Sequence, residues 1–163
     1  MERSNPSLID VTLRMIYLSD GISGLRSDVL FALFAECTRL RSLHIIGETS
    51  IVCELLDTLH SATLVRSLCL DIADRRPVTL VELPDDLFGG QAPIRELSFI
   101  TEANYILVSR WLLRGITYFT SNQQIPLQDL LDTLGQMPVL HSFTLERCVP
   151  SWRYIDAPGP SEV

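Results

Sequence analysis

The sequence predicts an α/β chain: an irregular solenoid with short strands in a parallel sheet on the concave side and helices on the convex side. Three observations predict it. Six hexapeptides share one pattern, they recur at near-regular distance, and three of the stretches among them carry helical periodicity. The hexapeptides are LRMIYL from Leu13, LRSLHI from Leu40, VRSLCL from Val65, IRELSF from Ile94, LRGITY from Leu113 and LHSFTL from Leu140. Each reads apolar, basic, any, apolar, any, apolar. The second residue is Arg14, Arg41, Arg66, Arg95, Arg114 and finally His141. The starts lie 27, 25, 29, 19 and 27 residues apart. Self-similarity at such a period marks stacked units, none of which can bury its apolar face alone.

Each hexapeptide reads as a strand, in which side chains alternate between two faces. The fourth and sixth residues then face a common core: Ile16/Leu18, Leu43/Ile45, Leu68/Leu70, Leu97/Phe99, Ile116/Tyr118 and Phe143/Leu145. The third, fifth and seventh residues form the concave face, a mix of small polar residues with some apolar and aromatic ones. Candidate protein-binding residues on it are Tyr17, His44, Ile46, Cys69, Ile100, Thr117, Phe119 and Thr144. An apolar patch edged by polar groups is a common protein-binding surface; the bland alternative is that flanking loops cover these side chains. The basic second residues form either a rim for an acidic partner or a solvated edge whose aliphatic stems shield the core. Cations stacked this closely repel, so acids should interleave, and Asp10, Asp20 and Glu96 are the candidates.

The intervening stretches are taken in chain order. Asp28 to Thr38 reads as a helix carrying Val29, Leu30, Leu33 and Phe34 on one face, and Asp28 suits its N-cap. Ser50 to Leu59 reads as a second, with Ser50 at the cap and Ile51, Val52, Leu55, Leu56 and Leu59 inward. In the fourth unit, Leu83 to Pro93 has room for about a turn and a half of helix around Pro84 to Phe88 before Gly89-Gly90 stops it. Thr101 to Trp111 is a short helix or an extended link. Leu127 to Met137 reads as a helix, with Pro126 in its first turn and Gly135 and Pro138 at its end. Strand, helix and strand again at 25–29 residues is the leucine-rich-repeat arrangement. Residues 1–150 make one such domain of about six repeats; residues 151–163 make a C-terminal cap, with Trp152 and Tyr154 over the last repeat, and a loose tail. The repeat consensus wants Asn or Cys at position nine, and only Cys148 supplies it, so the repeats are irregular.

Composition bounds the function. The chain has 163 residues, 47% hydrophobic and 20% charged, which suits one folded domain and not a disordered chain. All 13 basic residues are Arg, and 20 acids leave a net charge of -7, so a nucleic-acid partner is not expected. The longest apolar run, Val29 to Ala35, is far too short to span a bilayer, and no membrane association is expected. Met1 to Asp10 lacks a basic start followed by an apolar core, and Cys37, Cys53, Cys69 and Cys148 form no C-x-x-C pair. The expectation is an intracellular chain, cytoplasmic or nuclear, without metal or cofactor. The cysteines, the first three 16 residues apart, read as half-buried thiols of successive units. No enzyme motif is present. His44 and Cys69, both at position five, would be neighbours, but an open sheet gives no enclosed pocket and no oxyanion donors, so no catalysis is expected. Asp85-Asp86 reads as the charged first turn of a short helix rather than a metal site.

The segment LPDDLFGGQAPIRELSFI, with IPLQDLLDTLGQMPVLHSFTLERCVP further on, resembles the leucine-rich-repeat portion of F-box proteins multiplied in mushroom-forming fungi. The family patterns fall on Leu83 to Leu97 and on Leu130 to Pro150, and the resemblance covers about residues 40–150. It implies substrate recognition for a Skp–cullin–F-box ubiquitin ligase, with the repeats gripping the target. No F-box is visible in this chain. Leu83 to Phe88 imitates an F-box opening, but Gly89-Gly90, Pro93 and a strand follow where helices are needed, and residues 1–12 are too few for one. The Skp adaptor would therefore be reached only through an F-box missing here, as in a fragment or truncated paralogue. The alternative is a stand-alone leucine-rich-repeat scaffold unrelated to ubiquitin. The absence of Lys, which removes ubiquitin acceptors, suits a ligase component and is equally a product of codon bias.

Overall fold

The computed structural model describes residues 7–15, 32–33, 35–73, 80–101, 105–123 and 125–146. Six strands form one sheet: β1 (Ile9–Arg14), β2 (Leu40–Gly47), β3 (Ser67–Ile72), β5 (Glu96–Thr101), β7 (Tyr118–Ser121) and β8 (Ser142–Leu145). They lie side by side in chain order, and every pair is parallel. Two further strands, β4 (Leu80–Glu82) and β6 (Tyr105–Leu107), pair in parallel as a small second sheet. Parallel neighbours need a crossover connection between them. Among the described residues these crossovers hold three helices, α1 (Thr49–Thr58), α2 (Arg110–Leu113) and α3 (Leu127–Gly135). Ala32, Leu33, Ala35 and Glu36 are also helical and run into a 3₁₀ turn at Cys37–Arg39; the rest of the helix expected from Asp28 lies outside the described residues, as do Cys148, Trp152, Tyr154 and the tail.

Register decides what each strand buries. Leu43, Leu68, Leu97 and Phe119 stand opposite one another in successive strands, with Val11 and Phe143 at the ends of the row. Leu13, Ile45, Leu70, Phe99, Ser121 and Leu145 make the second inward row. The central members of both rows are buried, whereas Val11, Leu13, Phe143 and Leu145 in the edge strands are half-buried. Each full burial of such a side chain is worth about 1.5–3 kcal/mol. In the first row Phe119 packs edge-on against Phe99 with ring centroids 5.9 Å apart, and stacks on Phe143 at 5.6 Å.

The hexapeptides at Leu40, Val65, Ile94 and Leu140 hold the register their pattern predicts. Two do not. The fifth strand is Tyr118–Ser121, so the hexapeptide that fits it is ITYFTS from Ile116, three residues later than LRGITY, and Phe119 takes the inward place expected for Ile116. The first is built around IDVTLR, with Val11 opposite Leu43; LRMIYL is displaced by five residues, and Ile16 to Leu18 lie outside the described residues. Both displacements are odd, and an odd slip moves every side chain to the opposite face.

α1 buries Val52, Leu55 and Leu56, an i, i+3, i+4 stripe that joins the strand core. Its N-cap is Glu48, extended at φ -79°, and no side chain caps it, so Ser50 is a helical surface residue instead. α3 begins after Pro126, which occupies the cap itself. The short helix expected around Pro84 to Phe88 is displaced: this stretch holds a 3₁₀ segment at Leu87–Gly90, kinked at Phe88 and Gly89. Asp85-Asp86 form a turn, and Phe88, fully buried, adopts a left-handed conformation with φ 54°. Gly89 follows at φ 73°, and a Cβ there would stand 2.8 Å from the carbonyl oxygen of His60. Between Thr101 and Trp111 the chain is extended at β6 and then turns into α2.

The register predicts opposite outcomes at adjacent residues. Phe119→Ala should lower unfolding stability by about 3–5 kcal/mol. Tyr118→Ala, on the other face, should change it by less than about 0.5 kcal/mol. Chemical denaturation measures both, and a reversal of the two values would contradict the strand register.

Candidate functional site

The face of the sheet turned away from the core carries three rows. Asp10, Ser42, Ser67, Glu96, Tyr118 and Ser142 make the first; Thr12, His44, Cys69, Ser98, Thr120 and Thr144 make the second. Arg14, Ile46, Asp71 and Ile100 make the third. None of these residues is fully buried. This is the open face.

The structure distributes the candidate residues as follows. His44 and Cys69 lie opposite each other in β2 and β3, and Thr144 is exposed in β8 opposite Thr120. Ile46 and Ile100 lie in the third row on either side of Asp71, all three half-buried. Tyr17 lies outside the described residues. Two candidates leave the face. Phe119 is only 3% exposed and belongs to the core, because its strand starts three residues later than its pattern suggests. Thr117 precedes β7 and occupies the place expected for a basic second residue; its hydroxyl donates to the Arg95 carbonyl at 3.0 Å. Tyr118 and Thr120 take the vacated outward places, and Asp10 and Thr12 do the same in β1. One signal pointed to the true fifth strand. Starting it at Ile116 makes its distance from Ile94 22 residues rather than 19, closer to the other units.

Two shallow troughs adjoin on this face. One, of about 370 Å³, is lined by Asp10, Arg41, Ser42, Arg66, Ser67 and Glu96. The other, of about 330 Å³, is lined by Ser67, Glu96, Ser98, Tyr118 and Thr120 above Leu68 and Leu97. In the first, Arg41 is the extra residue of a bulge: Ile9 pairs with Leu40 but Asp10 with Ser42. The bulge re-aims its side chain, and its guanidinium grips Asp10 through both carboxylate oxygens, Nε at 3.0 Å from Oδ1. The hydrogen bond and charge of Arg41 hold the Asp10 carboxyl below its usual value, and Asp10 raises Arg41 in turn. Of the other expected acids, Glu96 forms no ion pair among the described residues, and Asp20 lies outside them. Arg95 turns aside, with Nη1 donating to the Gly115 carbonyl at 3.1 Å, so the basic second residues do not form one continuous rim.

The His44–Cys69 neighbourhood lacks the features of an activated nucleophile. Burial pushes the Cys69 thiol up; a hydrogen bond with Ser98 opposes this, and the charge of Asp71 adds to the rise. An activated thiol needs the opposite shift. His44 Nε2 is buried without a hydrogen-bond partner, so it makes no bond to the thiol. The three described cysteines sit in different elements: Cys37 in the 3₁₀ turn, Cys53 in α1 and Cys69 in β3. Their equal spacing therefore reflects no common position. Among the described residues no group of three or more His, Cys, Asp or Glu is placed to hold a metal ion, and no helix is long and apolar enough to cross a membrane.

Two titrations test this geometry. The Asp10 carboxyl, followed by NMR, should titrate below 3.8 and return toward it in Arg41→Met. Because the folded value is depressed, the ion pair stabilises the fold above that pH and its contribution disappears as the pH falls through the folded value. Cys69 should alkylate at least about threefold more slowly at about pH 8 than in the denatured chain, by peptide-resolved mass spectrometry. Equal or faster alkylation would show an accessible, activated thiol. Compared with known proteins, the chain matches no family model, no curated protein and no solved structure.

Proposed function

We propose that this chain is an irregular leucine-rich-repeat solenoid that binds a protein through the open face of its sheet. In this it would act like the target-recognition portion of an F-box protein in a Skp–cullin–F-box ligase. One observation carries the reading. Strands in unbroken chain order turn two rows of side chains into the core, and the three outward rows keep every member at least partly exposed. Outward residues that stay exposed or half-exposed are available to a partner, and rows of small hydroxyl side chains edged by charge offer hydrogen bonds without steric bulk. The residues of the resemblance, Leu83 to Ile100, form the turn and strand in the middle of this arrangement.

The turn at Leu83 to Phe88 supports a second reading, a scaffold without a link to ubiquitin. Leu83, Leu87 and Phe88 are buried in the core and so offer no surface for gripping an adaptor as an F-box opening would.

The test uses two arginine substitutions, Thr120→Arg on the open face in β7 and Asp57→Arg on the exposed side of α1. Both should keep the circular dichroism spectrum of the native chain. Proteins retained by the immobilised chain should be lost at least about tenfold in the first variant and kept in the second. Equal retention by both would remove the open face as the binding surface. The chain alone should not retain the Skp adaptor.

A further inference from the structure

We infer that the open face holds a seat for one basic side chain, formed by the Glu96 carboxylate and the Tyr118 ring, and that the partner segment lying there carries an arginine or lysine. This rests on the reading of the face as a protein-binding surface. Glu96 and Tyr118 stand opposite each other in β5 and β7 and line the same trough, with the hydroxyls of Ser67, Ser98 and Thr120 around them. Tyr118 is 53% exposed, and the Glu96 carboxylate has no hydrogen-bond or ion-pair partner among the described residues, although the Glu96 backbone amide donates to the Arg66 carbonyl at 3.0 Å. The nearby cations leave it free: Arg41 is held by Asp10, Arg95 by the Gly115 carbonyl, and Arg66 forms no ion pair with it.

An unpaired carboxylate beside an exposed aromatic ring is complementary to a cation in two ways. The carboxylate accepts charge-assisted hydrogen bonds, and the negative face of the ring attracts positive charge. The trough of about 330 Å³ is small, suited to a single side chain and its flanking extended backbone rather than to a helix about 10 Å across. The net charge of -7 adds a long-range attraction for a basic segment. An acidic ligand is disfavoured: it would have to sit at Arg66, and Glu96 lines that trough as well.

The test titrates the isotopically labelled full chain with a blocked Gly-Ser-Arg-Ser-Gly peptide, and separately with peptides carrying citrulline or glutamate in place of the arginine. The arginine peptide should shift the resonances of Glu96, Tyr118 and Thr120, and the citrulline peptide should bind roughly tenfold more weakly. Glu96→Gln and Tyr118→Leu should each weaken the arginine peptide several-fold while preserving the unfolding midpoint. Equal binding of the citrulline peptide, preference for the glutamate peptide, or no shift at these residues would each overturn the inference. A protein partner that is lost in Thr120→Arg but indifferent to Glu96→Gln and Tyr118→Leu would also overturn it, while leaving the binding role of the open face standing.

Discussion

The backbone ladder between neighbouring strands fixes which side chains face the core, because a hydrogen-bonded parallel pair can slip only by whole residues. Five such pairings lock six strands in step. From that lock follow the two inward rows, the stack of Phe99, Phe119 and Phe143, and the place of α1, which closes over β2 and β3 with Val52, Leu55 and Leu56. The open face is the other product of the same lock. No outward residue reaches full burial because alternation sends its neighbours inward.

Four strands were legible in the sequence because their apolar first, fourth and sixth residues coincide with what the sheet buries. The fifth was misread for a physical reason. Leu113, Ile116 and Tyr118 satisfy the apolar template, but Leu113 closes α2, and Ile116 is buried just before the strand begins. The true strand breaks the template twice, with Thr117 in the basic place and Ser121 in an inward one. A local pattern scores residue types one segment at a time, whereas register is settled by the neighbours on both sides. Phe119 shows the consequence: an aromatic residue expected on the surface lies between two other rings in the core. The candidate face was thus legible as a face, and its residues Tyr118 and Thr120 were not.

The turn at Leu83 to Gly90 failed differently. Pro, two acids and an apolar pair are a sound helix start, and nothing local forbids one. Burial overrides it. Leu83, Leu87 and Phe88 all enter the core, and reaching those places requires Phe88 in the left-handed region, a strained conformation for a bulky residue. Gly89 then passes so close to the His60 carbonyl that no side chain fits. Of the glycine pair read as a helix stop, Gly89 is required by its packing against the loop that follows α1, and Gly90 only by its left-handed backbone at φ 67°.

Polarity along the inward positions gives the last step. Ser121, Thr101 and Gln123 are all buried near the C-terminal ends of β5 and β7, where leucine or isoleucine would bury more apolar surface. The side chain of Ser121 is used locally, as is that of its neighbour Asn122. The Thr101 amide donates to Asn122 Oδ1 at 2.5 Å, and the Gln123 amide to Ser121 Oγ at 3.2 Å. Ser121 and Asn122 thus give an amide at the end of β5 and one just past β7 side-chain acceptors, which a leucine in their place could not do. Gln123 goes further, with both side-chain polar atoms buried and without a partner among the described residues, a cost of roughly 1–3 kcal/mol per group. Polar groups buried in this way make the strand ends on this side costly. The rows through Leu43, Leu68 and Leu97 carry the stability that offsets them, and this is why the register of the central strands constrains the whole sheet.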